Sequence, residues 1–332
     1  MIHASAPGRC GLVGNPTDMY GGSVLSCSTR ERARCTLNDD TKQFRVSVSG
    51  QSQVMHSVAD LEFRTDDYLN VARAVLRALE VDPATAAPFH LAAETEVPMQ
   101  AGLAGSTAIL ASIVGCLLAH LGLRLNPYQT AELVRQIEYE VLGIVCGFQD
   151  HYMTVFGGLN YMDFRDKTSA APPEADTPFA TIEPLTEYVG ELPLVLAHTG
   201  VRHHSGSVHT SPRERWLRGE PAVVEGYLEI ARLARVGKRA LLGCDWDTLA
   251  DLMNRNHAIV RELGGSGEAN EAMIAVALKS GATGAKLAGA GGGGTILALT
   301  HDREKTVEAL REAGAEAILF PTPQPGLTVE LG

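Results

Sequence analysis

The sequence predicts a mixed helix-and-strand chain folded as two lobes, and three observations lead there. Its 332 residues exceed a comfortable single hydrophobic core. The first half alternates strand-like and helix-like stretches. A Pro/Ala-rich patch over residues 168–178 has a linker's composition, which sets a first domain at 1–170 and a second at 171–332.

Taken in order, residues 24–36 and 44–49 carry alternating or β-branched patterns that suit strands. Thr65 and Asp66 are placed to cap a helix whose apolar positions Leu69, Val71, Ala72, Val75, Leu76 and Leu79 recur at helical spacing, ending before Asp82-Pro83. Residues 89–97 read as a strand. A long apolar helix follows over 106–121, closed by Gly122, and another covers 127–142. Beyond the linker, 192–198 is a buried strand. Helices are expected at 221–242, 246–263 and 266–280, and strands at 285–300 and 317–320. No internal repeat is evident.

Composition removes several function classes. The chain is 45% hydrophobic and 20% charged with mean hydropathy near zero, as in ordinary soluble globular proteins. No apolar run approaches the ~20 residues that a membrane helix needs, since Ser112 and Gly115 interrupt the longest. The N-terminus lacks a basic segment followed by an apolar core, so no signal peptide is read and a cytoplasmic setting is expected. A net charge of −11 argues against a nucleic-acid binder, which needs a basic face. The six cysteines show no CxxC spacing and read as scattered thiols of a reducing compartment. His203, His204 and His209 lack ligand partners at zinc spacing and are assigned to a polar loop.

Three glycine-bearing segments carry the chemistry. In the first, residues 6–22, Arg9 and Asp18 bracket an apolar strand between glycine turns. The second, residues 98–108, lies between a strand and an apolar helix. Its small residues let backbone N–H groups approach an anion, and the helix N-terminus adds a positive dipole. Ser106 stands where its hydroxyl either caps that helix or ligates Mg²⁺. In the third, residues 286–299, the run at 289–294 formally satisfies GxGxxG. A strand rather than a helix follows it, so a dinucleotide-binding fold is disfavoured. No GxxxxGK[ST] occurs either, which removes a Walker loop.

In this order and spacing, the three segments resemble the signature motifs of the galactokinase, homoserine kinase, mevalonate kinase and phosphomevalonate kinase (GHMP) superfamily, from Ala6 to about Leu299. The resemblance implies an α+β, two-domain GHMP kinase fold: a ribosomal-protein-S5-domain-2-like N-terminal ATP-binding domain and a ferredoxin-like C-terminal domain, with the active site between them. Residues 143–150 and 156–164, Gly14-Asn15-Pro16-Thr17-Asp18 and residues 213–219 are similar to the glucuronokinase branch. Galactokinases would show Gly-Glu-His-Thr-Asp in the first motif, and Asn15-Pro16 stands in place of Glu-His. Gly105 stands where many members have serine, whereas Ser106 matches the magnesium-ligating serine.

Phosphoryl transfer relies on positioning and charge stabilisation, so it needs a cradle, a metal site, a cation and a base. The resemblance implies an ATP cradle from Pro98, Gly102, Leu103, Ala104, Gly105, Ser106, Thr107 and Ala108. Mg²⁺ would take Ser106 and one carboxylate, Glu138 or Glu140, which sit two apart and face different sides of a helix. Glu138 is favoured because Val134, Ile137 and Val141 set it beside the buried stripe. Asp150 matches the family's Gly-x-x-Asp aspartate, which accepts the substrate hydroxyl's proton. Arg9 is expected against Asp150 and the travelling phosphoryl group. Asn15, Asp18 and Tyr20 are candidate sugar-pocket residues, with Asp18 accepting substrate hydroxyls. Arg202, Arg213 and Arg215 are candidate cations for a uronate, and Gly291 and Gly292 would let backbone approach the reacting groups.

The expected activity is ATP- and Mg²⁺-dependent phosphorylation of a sugar hydroxyl, the anomeric position of a uronic acid or related sugar. The alternatives are a heptose-phosphate or homoserine-type kinase, an ATP-dependent diphosphate decarboxylase, and a non-catalytic ATP/sugar sensor. A monomer or homodimer binding a small sugar or sugar acid, and neither nucleic acid nor membrane, is expected.

Overall fold

The computed structural model describes residues 1–168, 177–201, 212–289 and 294–332. Most of the expected linker, together with Arg202, His203, His204, His209, Gly291 and Gly292, lies outside them. Among the described residues no helix is long and apolar enough to cross a membrane.

The first lobe is an eight-stranded sheet backed by helices. Its spine is the antiparallel pair β1 (Ile2–Val13) and β2 (Ser23–Asn38). The 16-residue β2 has two partners on its far side: its start pairs with β6 (Leu159–Asp163) and its end with β5 (His90–Thr95). β5 pairs in parallel with β3 (Arg45–Val48), which closes a hairpin with β4 (Gln51–Val54). Two later segments join the same sheet: β7 (Thr181–Pro184) against β6, and β12 (Thr328–Leu331) against β1. A division at 170/171 is therefore not clean, because both lie beyond it and hydrogen-bond to the first sheet. The second lobe carries an antiparallel sheet in the order β11 (Ala317–Leu319), β8 (Leu194–His198), β10 (Thr295–Leu299), β9 (Gly284–Leu287).

Helix α1 spans Asn70–Ala78 rather than starting at Thr65, because Asp66 takes a left-handed conformation (φ 54°) that a helix cannot continue through. α2 (Gly105–His120) is apolar on all sides and is buried from Thr107 to Leu118 against β1, β2 and β5. The expected 127–142 helix divides into α3 (Pro127–Gln136), with an Asn126–Gln129 capping box, and a π-helical turn over Ile137–Val141. A helix missed in the sequence, α4 (Gln149–Phe156), follows. In the second lobe α5 (Pro221–Leu242), α6 (Trp246–Glu262), α7 (Glu268–Lys279) and α8 (Arg303–Glu312) pack on the smaller sheet and the seam.

That seam is apolar. Leu12, Val13 and Leu25 of the first lobe form one buried cluster with Leu233 and Ala234 of α5 and Leu249, Leu252 and Met253 of α6. Each such aliphatic side chain contributes about 1.5–3 kcal/mol when fully buried. This shared burial ties the two lobes together along the seam.

Candidate active site

The cleft, about 810 Å³, is lined by the end of β1, the turn after it, the 98–105 loop, the start of α2, the π turn, the 143–150 segment and Gly289. Its cradle is built from backbone strain. Gln100, Gly102 and Ala104 all have left-handed φ (57°, 73° and 61°), the alternation from which anion-binding backbone nests are built. α2 then starts without a side-chain cap on Ala104. Its first amides therefore keep no helical acceptor and point, with the helix dipole, at the cleft. Such an end is ready to take an anion. Ser106 is exposed there, whereas Leu103, Thr107 and Ala108 turn inward as packing.

Besides the Arg9 backbone N–H, which donates to the Leu103 carbonyl at 3.0 Å, two contacts fix the cradle. A Cβ on Gly289 would lie 2.5 Å from the Gly102 carbonyl oxygen, so only glycine lets the second lobe touch the loop this closely. Arg9 supplies the other. Its Nη1 donates to the Gly102 carbonyl at 2.6 Å, while Nε and Nη2 donate to Asp150 Oδ1 at 2.7 and 2.5 Å. The guanidinium is nearly enclosed and Asp150 is about a third exposed, at side-chain values of 7% and 32%. One cation thus ties the anion loop to a carboxylate at the cleft surface.

Asp18 is placed otherwise than as a ligand of substrate hydroxyls alone. Its Oδ2 accepts from the backbone amides of Phe148 (2.8 Å) and Gln149 (3.0 Å), capping the start of α4 one residue before Asp150. A Cβ on Gly147 would stand 1.9 Å from that oxygen, so the loop can wrap the carboxylate only as glycine.

Glu138 and Glu140 separate cleanly. Glu138 is buried on the π turn, and its Oε2 accepts from Thr107 Oγ1 at 2.9 Å and from His151 Nε2 at 2.7 Å. Its residue lines the cleft. Glu140 is exposed and accepts from Gln136 at 3.0 Å. Cys146 is half-buried beside them, and burial with the Glu138 charge pushes its thiol well above the ordinary value.

Of three sugar-pocket expectations, Asn15 lines the cleft with its amide already engaged, whereas Tyr20 and Arg215 do not line it. Asn15 is buried between the lobes: Nδ2 donates to the Gly289 carbonyl at 2.9 Å and Oδ1 accepts from Lys286 at 2.8 Å. Both ends of its amide are committed to the fold. Tyr20 stacks between Trp216 and Tyr227, at 5.0 and 4.6 Å between centroids, because an apolar pocket of the second lobe covers its ring. Arg215 is held by Glu220 at 2.6 and 2.9 Å and by the Leu263 carbonyl, so its charge is spent on pinning the entry to α5. Arg202, Gly291 and Gly292 lie outside the described residues.

The sequence reading missed Lys286. It is fully buried on β9 and donates to Gly11 O (3.2 Å), Asn15 Oδ1 (2.8 Å) and Leu287 O (2.6 Å). Burial, aided by the nearby Arg9 charge, lowers its pKa to about 7. A lone lysine inside the otherwise apolar and glycine-rich 284–299 stretch was the available signal. His151 and Asn256, which holds the Gly14 amide at 2.8 Å, offered none.

The sequence matches the model of the GHMP kinases N terminal domain over residues 68–158 and that of the GHMP kinases C terminal over 238–317. It is 31% identical over 303 residues to a probable glucuronokinase 2 of Arabidopsis thaliana, covering 86% of this chain and 81% of that protein. Identity is 28% over 328 residues to a D-glycero-alpha-D-manno-heptose 7-phosphate kinase of Campylobacter jejuni, with 94% and 93% covered. Among solved structures, a D-glycero-D-manno-heptose 1-phosphate kinase from Bacteroides thetaiotaomicron superposes with TM-score 0.74 at 23% identity, over 100% and 99% of the two chains. Lactococcus lactis galactokinase complexed with galactose gives 0.74 at 17%, over 98% and 95%.

Proposed function

The chain belongs to the GHMP kinase family and is a phosphotransferase with a hydroxyl acceptor, and from that premise we propose that it phosphorylates a sugar acid at the anomeric hydroxyl. The observation that carries the catalytic part is the Arg9 bridge between Asp150 and the Gly102 carbonyl. ATP is the donor, its phosphates on the 98–108 cradle. Asp150 accepts the acceptor hydroxyl's proton as that oxygen attacks the terminal phosphorus and the β–γ bridging oxygen leaves with ADP. Arg9 keeps Asp150 ionised and offsets charge on the transferring group. Asp18 acts through α4 by holding Asp150 at the correct height.

The electrostatics favour a divalent cation. Among the described residues the cleft is lined by one cation, Arg9, and by the carboxylates Asp18, Asp66, Asp67, Glu138 and Asp150. A triphosphate enters such a site only with compensating positive charge. The Ser106 hydroxyl and the Glu138 carboxylate are hard oxygen donors that fit Mg²⁺ and would hold it there. Held there by Ser106 and Glu138, the ion would neutralise charge on the phosphates.

The likeness to glucuronokinases supports the sugar-acid acceptor, and Asn15-Pro16 in place of Glu-His argues against galactose. The Campylobacter relative, matched over nearly the whole of both chains, supports a heptose phosphate as second reading. Release of ADP is measured over glucuronate, galacturonate, neutral sugars, heptose phosphates and homoserine. A kcat/KM for a uronate at least tenfold above the rest is expected. Preference for a heptose phosphate or homoserine overturns the uronate assignment, CO₂ release points to decarboxylation, and tight binding without turnover to a sensor.

A further inference from the structure

At the proposed Mg²⁺ position, Glu138 shares a donor set with two side chains, Cys146 and His151, that phosphoryl transfer does not use. Among the described residues, Glu138, Cys146 and His151 form a trio whose ligand atoms all lie within 4.8 Å of one another. The fold assembles them from three pieces. The π turn carries Glu138 inward, the chain reverses at Gly143 (φ 69°), and the returning loop brings Cys146 to the first turn of α4, where His151 sits. The loop is clamped on both sides, by the Asp18 cap and by Arg135 Nε donating to the Gly147 carbonyl at 3.2 Å.

The donors are a thiol, an imidazole and a carboxylate. Mg²⁺ avoids sulfur and nitrogen, whereas Zn²⁺ and its relatives prefer this mixture. A tetrahedral ion with bonds of ~2.0–2.3 Å sets its ligand atoms roughly 3.3–3.7 Å apart. The trio brackets that spacing, with Glu138 Oε2 and His151 Nε2 closer, at 2.7 Å, and the widest pair within 4.8 Å. Closing the trio onto an ion would need ligand-atom shifts of about an ångström. Thr107 Oγ1 donates to the same Glu138 oxygen at 2.9 Å and orients the carboxylate. His151 is fully enclosed and turns Nε2 to Glu138, so Nε2 is the nitrogen that would take the ion, while Nδ1 has no hydrogen-bond partner among the described residues. Glu138 and Cys146 line the cleft, which gives an ion its entry path and leaves the fourth position open to water.

We propose that Glu138, Cys146 and His151 form a site for a thiophilic divalent cation of the Zn²⁺ class, and that filling it inhibits the kinase by withdrawing Glu138 from Mg²⁺. The inhibition rests on the Mg²⁺ role of Glu138; the binding does not.

The test separates the two. Cd²⁺ is titrated into the nucleotide-free protein and sulfur-to-metal charge-transfer absorption is recorded. One equivalent should bind with a band that Cys146→Ala abolishes, that His151→Ala weakens roughly ten- to a hundredfold in affinity, and that Cys244→Ser, which removes the exposed thiol, leaves intact. No band, or one that survives Cys146→Ala, overturns the site. If the alanine variant fails to fold, Cys146→Ser repeats the measurement with a hydroxyl in place of the thiol. For inhibition, ADP release is followed at saturating Mg·ATP with rising Zn²⁺, each variant against its own zinc-free rate. The half-inhibitory Zn²⁺ should rise at least about tenfold in Cys146→Ala. Equal sensitivity overturns the inhibitory assignment. An enzyme inactive on every acceptor would instead defeat the substrate reading while the absorption result still decides the site.

Discussion

Replacing Asp18 by alanine tests how Asp150 is held in place. The Asp18 carboxylate is buried at 6% exposure and accepts two backbone hydrogen bonds, at 2.8 and 3.0 Å. The donors, Phe148 and Gln149, are themselves enclosed, at 2% and 3% exposure, so neither amide finds solvent once the carboxylate is gone. A hydrogen bond to a charged group contributes about 1.5–3 kcal/mol, and losing a helix N-cap costs about 0.5–2 kcal/mol. Because both bonds end on one oxygen they do not add, and a loss of about 2–4 kcal/mol is expected. Asp18→Asn, which keeps an uncharged acceptor, should recover roughly half of that. The urea midpoint measures the stability term, and amide exchange at Phe148 and Gln149 locates it. Steady-state kinetics then separate the roles. Loosening α4 displaces Asp150, so kcat should fall while KM for ATP stays near wild type, since the cradle belongs to α2. An unchanged urea midpoint and kcat with a sugar KM raised about tenfold, worth ~1.4 kcal/mol, would refute the capping argument and return Asp18 to direct substrate contact.

Three further outcomes are expected. Asp150→Asn should lower kcat by ~10²–10⁴-fold with ATP affinity retained, and a single-turnover rate equal to wild type would remove it as the base. Glu138→Gln should raise the Mg²⁺ concentration for half-maximal rate while Glu140→Gln, exposed and paired with Gln136, should not; equal shifts would contradict the assignment of Glu138 alone. Lys286 has a folded-state pKa lowered to about 7, against an ordinary value near 10.4. Between those values the unfolded chain binds the extra proton, so the folded state gains stability as pH rises, by at most ~1.4 kcal/mol per unit. Urea midpoints of wild type and Lys286→Met from pH 7 to 10 should diverge accordingly, and parallel curves would refute it.

How much was legible follows from the range of the interactions. The strand, loop and helix around 98–108 were readable because their parts are adjacent: small residues, a preceding strand, a helix beginning at Gly105. The helix at 221–242 was read to its termini, since Pro221 at the first turn is a local signal. The 127–142 helix was read as uniform, but its last turn is π-helical. Choosing an i→i+5 over an i→i+4 bond depends on what Glu138 must reach, and that lies on α2 and α4.

Order and spacing of the glycine segments, with Arg9, Ser106 and Asp150 among them, determined from sequence alone that this is a two-lobed kinase of one superfamily. Only the tertiary structure decided what each polar side chain does. Arg9 meets Asp150 across 141 positions, and Lys286 meets Asn15 across 271. The same packing gave Asp18 to a helix end, Tyr20 to an aromatic stack and Arg215 to Glu220. It also brought Glu138, Cys146 and His151 together. Such pairings follow from the register of β1 on β2 and the seam between the lobes, and a linear pattern carries the first only in part and the second hardly at all.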